Sequence, residues 1–289
     1  MSAAFTLTMA YLSEQNSGAA AASALAAYIT GNVASNLVGR LVASAVVSGA
    51  GVAANFYVFA GLNLAGAALV LLALSPGMAA AAEGMRRSAV ERIAAHFRNP
   101  CLVASFGIGF LVLFAFLGVF TYVNFVLAAP PLSLKAMVLG LVYFVFLPAM
   151  VTTPLAGGVA SRFGPRPTFF VALGLALLGL PLLLAGTVLT VVVGMVLVGV
   201  GTFFAQAVAT GFVGRAAKTD RAAASGIYLA SYYLGGLAGA AVIGQVYDRF
   251  GWPPAVGVVG GSLMAAAGLA ATLRPATVGS RAAAAVQAA

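Results

Sequence analysis

The chain alternates between long apolar segments and short connections that hold most of its charged and polar residues. Because a helix of about 20 residues crosses a hydrocarbon core of about 30 Å, the sequence can be divided at that length. The division gives one short apolar piece and eight full segments: 1–12, 21–48, 52–75, 101–128, 134–160, 167–186, 188–213, 223–247 and 252–273. The pattern predicts an all-α membrane protein with eight full transmembrane helices and one partial helix.

When the short piece at 1–12 is counted as the first segment, the boundary between the sixth and seventh segments is the least distinct one in the pattern. Residues 167–213 include no charged residue, and this stretch of 47 residues is too long for one membrane-crossing helix. The chain must therefore turn back within it. Gly186 and Thr187 are the residues at which we predict that turn.

Composition supports the membrane assignment and excludes several classes of function. Of the 289 residues, 63% are hydrophobic and 7% are charged, and the mean hydropathy of +1.09 is far above that of water-soluble domains. The single cysteine, Cys101, excludes an internal disulfide, and with the single histidine, His96, it leaves no cluster for zinc. The segments hold no cluster of His, Asp, Glu or Cys, so we expect no enzyme, no metal site and no cofactor.

The net charge of +9 comes mostly from loops, which indicates membrane orientation rather than nucleic-acid binding. One side of the predicted membrane has Lys135 and Arg249. The other side has Arg86, Arg87, Arg92, Arg98, Arg162, Arg166, Arg215, Lys218, Arg221, Arg274 and Arg281. Because cytoplasmic loops are rich in Lys and Arg, we predict a multi-pass protein of a bacterial plasma membrane with a cytoplasmic C-terminus.

An internal repeat predicts two related halves. Residues 25–38 align without a gap with residues 229–242, and the alignment pairs Tyr28 with Tyr232. Parallel repeats of this kind occur in transporters built from two six-helix halves. The predicted parts are the remainder of an N-terminal half, a cytoplasmic linker with an amphipathic helix, a C-terminal half and a cytoplasmic tail, at 1–75, 76–100, 101–275 and 276–289. Since six segments follow the linker and fewer than three precede it, we expect the C-terminal part of a longer protein.

The loop between the fifth and sixth segments has a distinctive sequence, GGVASRFGPR at residues 157–166. It resembles the G-x-L-A-D-R-x-G-R-R signature of the major facilitator superfamily, in the form that follows the eighth helix of its members. Ser161 stands in place of the Asp, and Pro165 in place of one Arg. The residues at 10–14, 39–40 and 251–252 are also similar to bacterial efflux permeases of this superfamily. The resemblance implies part of the fourth helix followed by the fifth through twelfth helices.

The resemblance also implies a function, namely secondary active transport of a small molecule, with proton-driven efflux by alternating access. The partners would be the substrate, protons as the coupling ion and the lipid bilayer, with no nucleic acid and no obligate protein partner. The chain has no G-x-x-x-x-G-K-[ST] phosphate loop for an ATP-driven motor, and no Asp or Glu lies deep in a segment. The alternative is a truncated fragment of such a transporter that does not transport.

The same loop has a physical interpretation as a cytoplasmic gate. Its paired glycines would let two helices approach closely, a third glycine would form the turn, and its arginines would face lipid phosphates or helix C-termini. In the gate, one arginine would pair with a glutamate from the other half. The predicted gate residues are Glu14, Gly157, Gly158, Arg162, Gly164 and Arg166. Alternatively, the arginines are only positive-inside charges.

A stripe of polar side chains on the second segment is the first candidate for substrate binding. Tyr28, Asn32, Asn36 and Arg40 recur every four residues, which places them along one helix face about 18 Å long. An arginine at this depth costs about 2.5–3.5 kcal/mol, and such groups usually face a bundle interior or a water-filled cavity. The alternative for Arg40 is snorkelling to the outer interface. Gly31, Ser35 and Gly39 form a neighbouring stripe suited to close helix packing.

The C-terminal half has a second set of candidates for substrate binding. These are Tyr122, Asn124, Gln206, Tyr228 and Tyr232. Each could instead form a hydrogen bond between helices. The resemblance favours positions on cavity-lining helices for them.

Overall fold

The computed structural model describes residues 18–73, 94–217 and 220–273, and regular structure in those ranges is helical throughout. This confirms the predicted all-α membrane fold. The long helices are α1 (Gly18–Ala73), α2 (Pro100–Ala128), α4 (Pro165–Leu182), α5 (Val188–Ala216), α6 (Arg221–Phe250) and α7 (Trp252–Thr272). Five consecutive pieces form α3: Ala136–Val142, Tyr143–Phe146, Leu147–Thr152, Thr153–Leu155 and Ala156–Phe163. The predicted partial helix at 1–12 lies outside the described residues.

Helix α1 has two limbs, 18–50 and 52–73, which meet at Gly51. This glycine has φ 85° and ψ 173°, a non-helical conformation that residues with a side chain rarely adopt. The break falls between the second and third predicted segments. By length and composition, seven described stretches could cross a membrane, and Val38–Leu72 counts once although it runs through Gly51. The eight full segments predicted from the sequence therefore correspond to seven stretches here.

Most helix boundaries follow from local sequence signals. The Asn99 side chain accepts a hydrogen bond from the Cys101 amide at 3.0 Å, and Pro100 begins α2. The Thr187 hydroxyl accepts one from the Thr190 amide at 3.3 Å and begins α5. Because α4 ends at Leu182 and α5 begins after Thr187, the predicted turn at Gly186 and Thr187 is confirmed.

Helix α3 is irregular along its length. Two of its pieces, Tyr143–Phe146 and Thr153–Leu155, are 3-10 turns. Pro148 follows the first of these turns and Pro154 lies within the second. Proline has no amide hydrogen to donate to the preceding helical turn, so it loosens the α-helical pattern at these positions.

Helix α2 lies at the centre of the described fold and packs against α5, α6 and α7. Its closest neighbour is α6, where Gly235 and Gly239 lie against the backbone of Phe110 and Phe114. A Cβ atom on either glycine would overlap the facing carbonyl oxygen. The two helix backbones touch because these positions lack side chains.

A second close crossing joins α4 to α5 through two further glycines. A Cβ on Gly179 would lie 2.7 Å from the Gly194 carbonyl oxygen, and the reverse distance is also 2.7 Å. By contrast, no described atom outside α1 lies within 4 Å of a Cβ built on Gly31 or Gly39. Close packing on the predicted α1 stripe stays a prediction, since the described residues supply no neighbour for these two glycines.

Candidate substrate site

Arg40 lies on the first limb of α1 and meets aromatic residues of α3. Its guanidinium carbon is 4.3 Å from the centre of the Tyr143 ring and 5.8 Å from the centre of the Phe146 ring. Arginine over an aromatic face contributes about 0.5–1 kcal/mol when exposed and about 2 kcal/mol when desolvated. The half-buried Arg40 therefore links α1 to α3.

Among the side chains and carbonyls that the structure describes, none is a hydrogen-bonding partner of the Arg40 guanidinium. No described side chain or carbonyl accepts a hydrogen bond from it, and no described carboxylate forms an ion pair with it. Stacking on a ring uses the face of the guanidinium and leaves its five in-plane N–H donors available. Arg40 is thus oriented by aromatic contacts while its donors remain able to bind an acceptor.

Tyr143 connects Arg40 to a polar residue on α2. The Tyr143 hydroxyl donates a hydrogen bond to Asn124 Oδ1 at 2.8 Å. The Asn124 amide group donates to the Phe120 carbonyl oxygen at 3.0 Å. We refer to Arg40, Asn124, Tyr143 and Phe146 as the Arg40 cluster.

Buried phenylalanines fix the position of the cluster. The Phe116 and Phe120 rings of α2 have centroids 4.6 Å apart, and the Phe120 and Phe146 centroids are 4.9 Å apart. Phe203 of α5 meets Phe116 edge-on at 5.0 Å. All four rings are buried, and Tyr143 packs against Phe146. A rigid apolar layer of this kind holds a polar group in one orientation.

The structure brings Asn124 and Arg40 together, as members of the two predicted substrate-binding sets. Sequence reasoning missed Tyr143 and Phe146, because an aromatic residue in an apolar segment gives no periodic signal for the face it occupies. Tyr28 is half-buried three turns before Arg40 and has an interaction of its own. Asn32 and Asn36 lie between them on α1, and their side chains lie outside the described part of the structure.

Tyr122 lies apart from the Arg40 cluster. Its hydroxyl donates a hydrogen bond to the Ala240 carbonyl oxygen at 2.7 Å, and its ring packs 5.6 Å from that of Tyr247. Both partners belong to α6. This is the hydrogen bond between helices that the sequence left open as the alternative.

The remaining predicted residues lie on α5 and α6. Tyr228 and Tyr232 are buried with ring centroids 6.1 Å apart. The Tyr228 hydroxyl is buried without a well-formed hydrogen bond, and Thr210 of α5 is its polar neighbour. The Thr210 hydroxyl donates a hydrogen bond at 2.9 Å to the backbone carbonyl oxygen of Gln206. The Gln206 residue is half-buried. These residues form a second polar region within the C-terminal helices.

The predicted gate loop connects α3 to α4. Gly164 has φ 88° and forms the one-residue turn between the two helices, which confirms the turn predicted there. Gly157 and Gly158 are exposed, and no described atom beyond their own helix lies within 4 Å of a Cβ built on either. The close helix approach expected from these two glycines stays a prediction, because the segment expected to face them lies outside the described residues.

The arginines of this loop are exposed and lie beside their own aromatic neighbours. The Arg162 guanidinium is 5.3 Å from the centre of the Phe163 ring, and that of Arg166 is 6.0 Å from the centre of the Phe170 ring. Glu14 lies outside the described residues. Its pairing with either arginine stays a prediction.

Comparison with known proteins decides the family. Residues 132–288 match the family model of the Major Facilitator Superfamily, which is more than half of the chain. The chain belongs to this superfamily. The match confirms the membership inferred from the loop at 157–166, and the seven apolar stretches agree with a multi-pass membrane protein.

Bacterial members of the superfamily are similar to most of this chain. An uncharacterized transporter of Buchnera aphidicola subsp. Baizongia pistaciae is 27% identical over 81% of this chain and 59% of its own length. The MFS-type transporter YybF of Bacillus subtilis is 25% identical over 88% of this chain and 63% of its own length. The inner membrane transport protein YnfM of Escherichia coli is 27% identical over 84% of this chain and 59% of its own length. The chain spans about three-fifths of the length of these relatives.

Proposed function

We propose that the chain is a secondary active transporter that exports a small molecule by alternating access, with the Arg40 cluster as part of its substrate site. The observation that carries the proposal is the contact of Arg40 with Tyr143 and, through it, with Asn124. Arg40 precedes the linker predicted at 76–100, and the other two residues follow it. In transporters with two repeated halves, the substrate binds between the halves near the membrane midplane.

The contact between the two sides of the cluster is suited to a moving interface. A guanidinium on an aromatic ring contributes about 0.5–2 kcal/mol, depending on how far it is desolvated, and no covalent bond or ion pair joins the same described residues. States that differ by a few kcal/mol interconvert readily, and a ligand can shift their populations. A substrate that binds Arg40 would therefore change the strength of the contact between the proposed halves.

The proposal also specifies the direction of transport and its energy source, namely export driven by protons. It rests on the likeness to bacterial efflux permeases and to relatives named as transporters. The described carboxylates lie at the ends of α6, with Asp220 capping its first turn and Asp248 exposed near its last. We place the protein in a bacterial plasma membrane, in keeping with the name of the Escherichia coli relative.

A proton-flux assay tests this function. Inverted bacterial membrane vesicles containing the chain are acidified inside with ATP, and an acridine dye reports the pH gradient. Pentoses, amino acids, monocarboxylates and cationic dyes are then added one at a time. We expect at least one class to dissipate the gradient only when the chain is present. If the chain is inserted and every class behaves as in empty vesicles, the proposal is wrong.

The topology gives a separate prediction. In a Cys101→Ala background, Ser133→Cys near Leu132 should react with an impermeant thiol reagent added to intact cells, because the loop of Lys135 is predicted to be outside. Ser161→Cys is the matched control, since both serines are exposed and Ser161 lies in the loop predicted to be cytoplasmic. It should react only after lysis. The reverse pattern would contradict the proposed orientation.

A further inference from the structure

The edge of Arg40, which has no partner among the described side chains, indicates the chemical class of the substrate. We infer that the Arg40 cluster binds a compact anionic group, a carboxylate, on the substrate. This inference rests on the proposed transport function and adds the chemistry that the site recognises. The observations that carry it are the orientation of the guanidinium, the missing counter-charge and the number of cations at the site.

The guanidinium is held in place before any ligand arrives. The guanidinium carbon lies over the Tyr143 ring and near the Phe146 ring, and Tyr143 is itself fixed by its hydrogen bond to Asn124. The remaining N–H donors form a planar fork, which matches the two oxygens of a carboxylate. Because the arginine is already oriented, little side-chain entropy is lost when a carboxylate binds.

The counter-charge is missing from the described part of the protein. Arg40 lies about two-thirds of the way along its limb, 18–50, whereas the other described cations lie in loops or near helix ends. The two described carboxylates, Asp220 and Asp248, are at the ends of α6. An arginine at membrane depth normally pairs with an acid or a carbonyl, so a ligand that brings the negative charge completes the site.

A single cation favours a monoanion. A phosphate monoester carries close to two charges at neutral pH and usually meets several cationic or amide donors. The described cluster offers one arginine, and its other polar groups, Asn124 and the Tyr143 hydroxyl, are neutral. A carboxylate balances that charge, and the buried rings around it suit an apolar remainder of the substrate.

Binding measurements on the purified chain in lipid nanodiscs test the inference. The probes are benzoate and butyrate, their neutral amides benzamide and butyramide, and phenylphosphonate. We expect saturable binding of at least one carboxylate, at least about tenfold tighter than its amide. Equal binding of acid and amide, or no saturable binding of either acid, overturns the inference. Tighter binding of phenylphosphonate at a pH where it is a dianion would reassign the site to phosphate-like groups and also overturn it.

Variants separate recognition from folding. Arg40→Gln should weaken carboxylate binding at least about tenfold, and Arg40→Lys should restore part of it, because lysine keeps the charge without the planar fork. Tyr143→Phe keeps the ring under Arg40 and removes the hydrogen bond to Asn124, so its effect should be smaller. Melting temperature and elution profile report on folding for each variant. Unchanged carboxylate binding in folded Arg40→Gln protein contradicts the inference.

The two proposals fail in different ways. If carboxylates bind through Arg40 but no compound dissipates the pH gradient, the transport proposal fails and this inference stands. If only neutral compounds dissipate the gradient and no carboxylate binds, transport stands and this inference fails.

Discussion

Arg40→Ala is expected to reduce transport by about tenfold or more while the amount of protein in the membrane changes little. The variant removes the five donors and the positive charge from the Arg40 cluster, yet the packing of Tyr143 against Phe146 remains in place. The interaction of the guanidinium with the Tyr143 ring, which alanine cannot make, contributes about 0.5–2 kcal/mol. Initial rates in the vesicle assay, divided by the quantity of inserted protein, measure the effect.

Arg249→Ala is the matched control, because Arg249 is exposed near the end of α6. It removes the same charge from a position without a described substrate role. If Arg40→Ala lowers transport and membrane abundance equally, Arg40 has a structural role. If transport is unchanged, Arg40 has no role in the substrate site, and its side chain only extends to the outer membrane interface.

The second large effect is expected at the crossing of α2 and α6. Gly235→Ala should destabilise the protein by about 3 kcal/mol or more, because the new methyl group meets the carbonyl oxygen and backbone of Phe110, which cannot rotate away. The two helices must separate, which weakens the packing of α6 on the central helix of the described fold. The temperature at which the purified protein ceases to elute as a monodisperse peak measures the change.

Gly257→Ala on α7 gives the opposite expectation. Gly257 is exposed, and no atom lies within 4 Å of a Cβ built there. Alanine in the interior of a helix is favoured over glycine by about 0.8–1 kcal/mol, so this variant should be as stable as the unsubstituted chain or more stable. Similar destabilisation in both variants would show that glycine content, and not backbone contact at Gly235, determines stability.

The helix boundaries could be predicted from the sequence because water and hydrocarbon impose them directly. Thr187 and Gly164 end apolar runs of membrane length, and both lie at breaks in the structure. Gly51 lies between two predicted segments in the same way. The helix boundaries at these residues can be predicted without knowledge of the neighbouring helices, since segment length and turn chemistry suffice.

The facing of each helix could not be predicted in the same way. Lipid tails are as apolar as a leucine core, so a span is hydrophobic all round and gives no strong amphipathic stripe. Gly31 and Gly39 therefore resemble a packing surface as much as Gly235 and Gly239 do, although only the second pair touches a described neighbour. Tyr143 was missed for the same reason. Arg40 could be identified because a charged residue in an apolar segment is recognisable whichever way its side chain points.

The one-residue link at Gly164 has a consequence for the membrane around the protein. A helix end leaves four amide hydrogens or four carbonyl oxygens without intrahelical partners, and in hydrocarbon each costs several kcal/mol. The first amides of α4 have no side-chain cap at Gly164, so we expect this end to reach water or lipid headgroups. At the other end the carbonyls of Leu180, Pro181 and Leu182 accept hydrogen bonds from the turn that follows, and the Leu183 carbonyl accepts one from Trp252 Nε1. With 18 residues, α4 is about 27 Å long. The neighbouring helix α5 has 29 residues, so in the same bilayer we expect it to tilt or protrude further than α4.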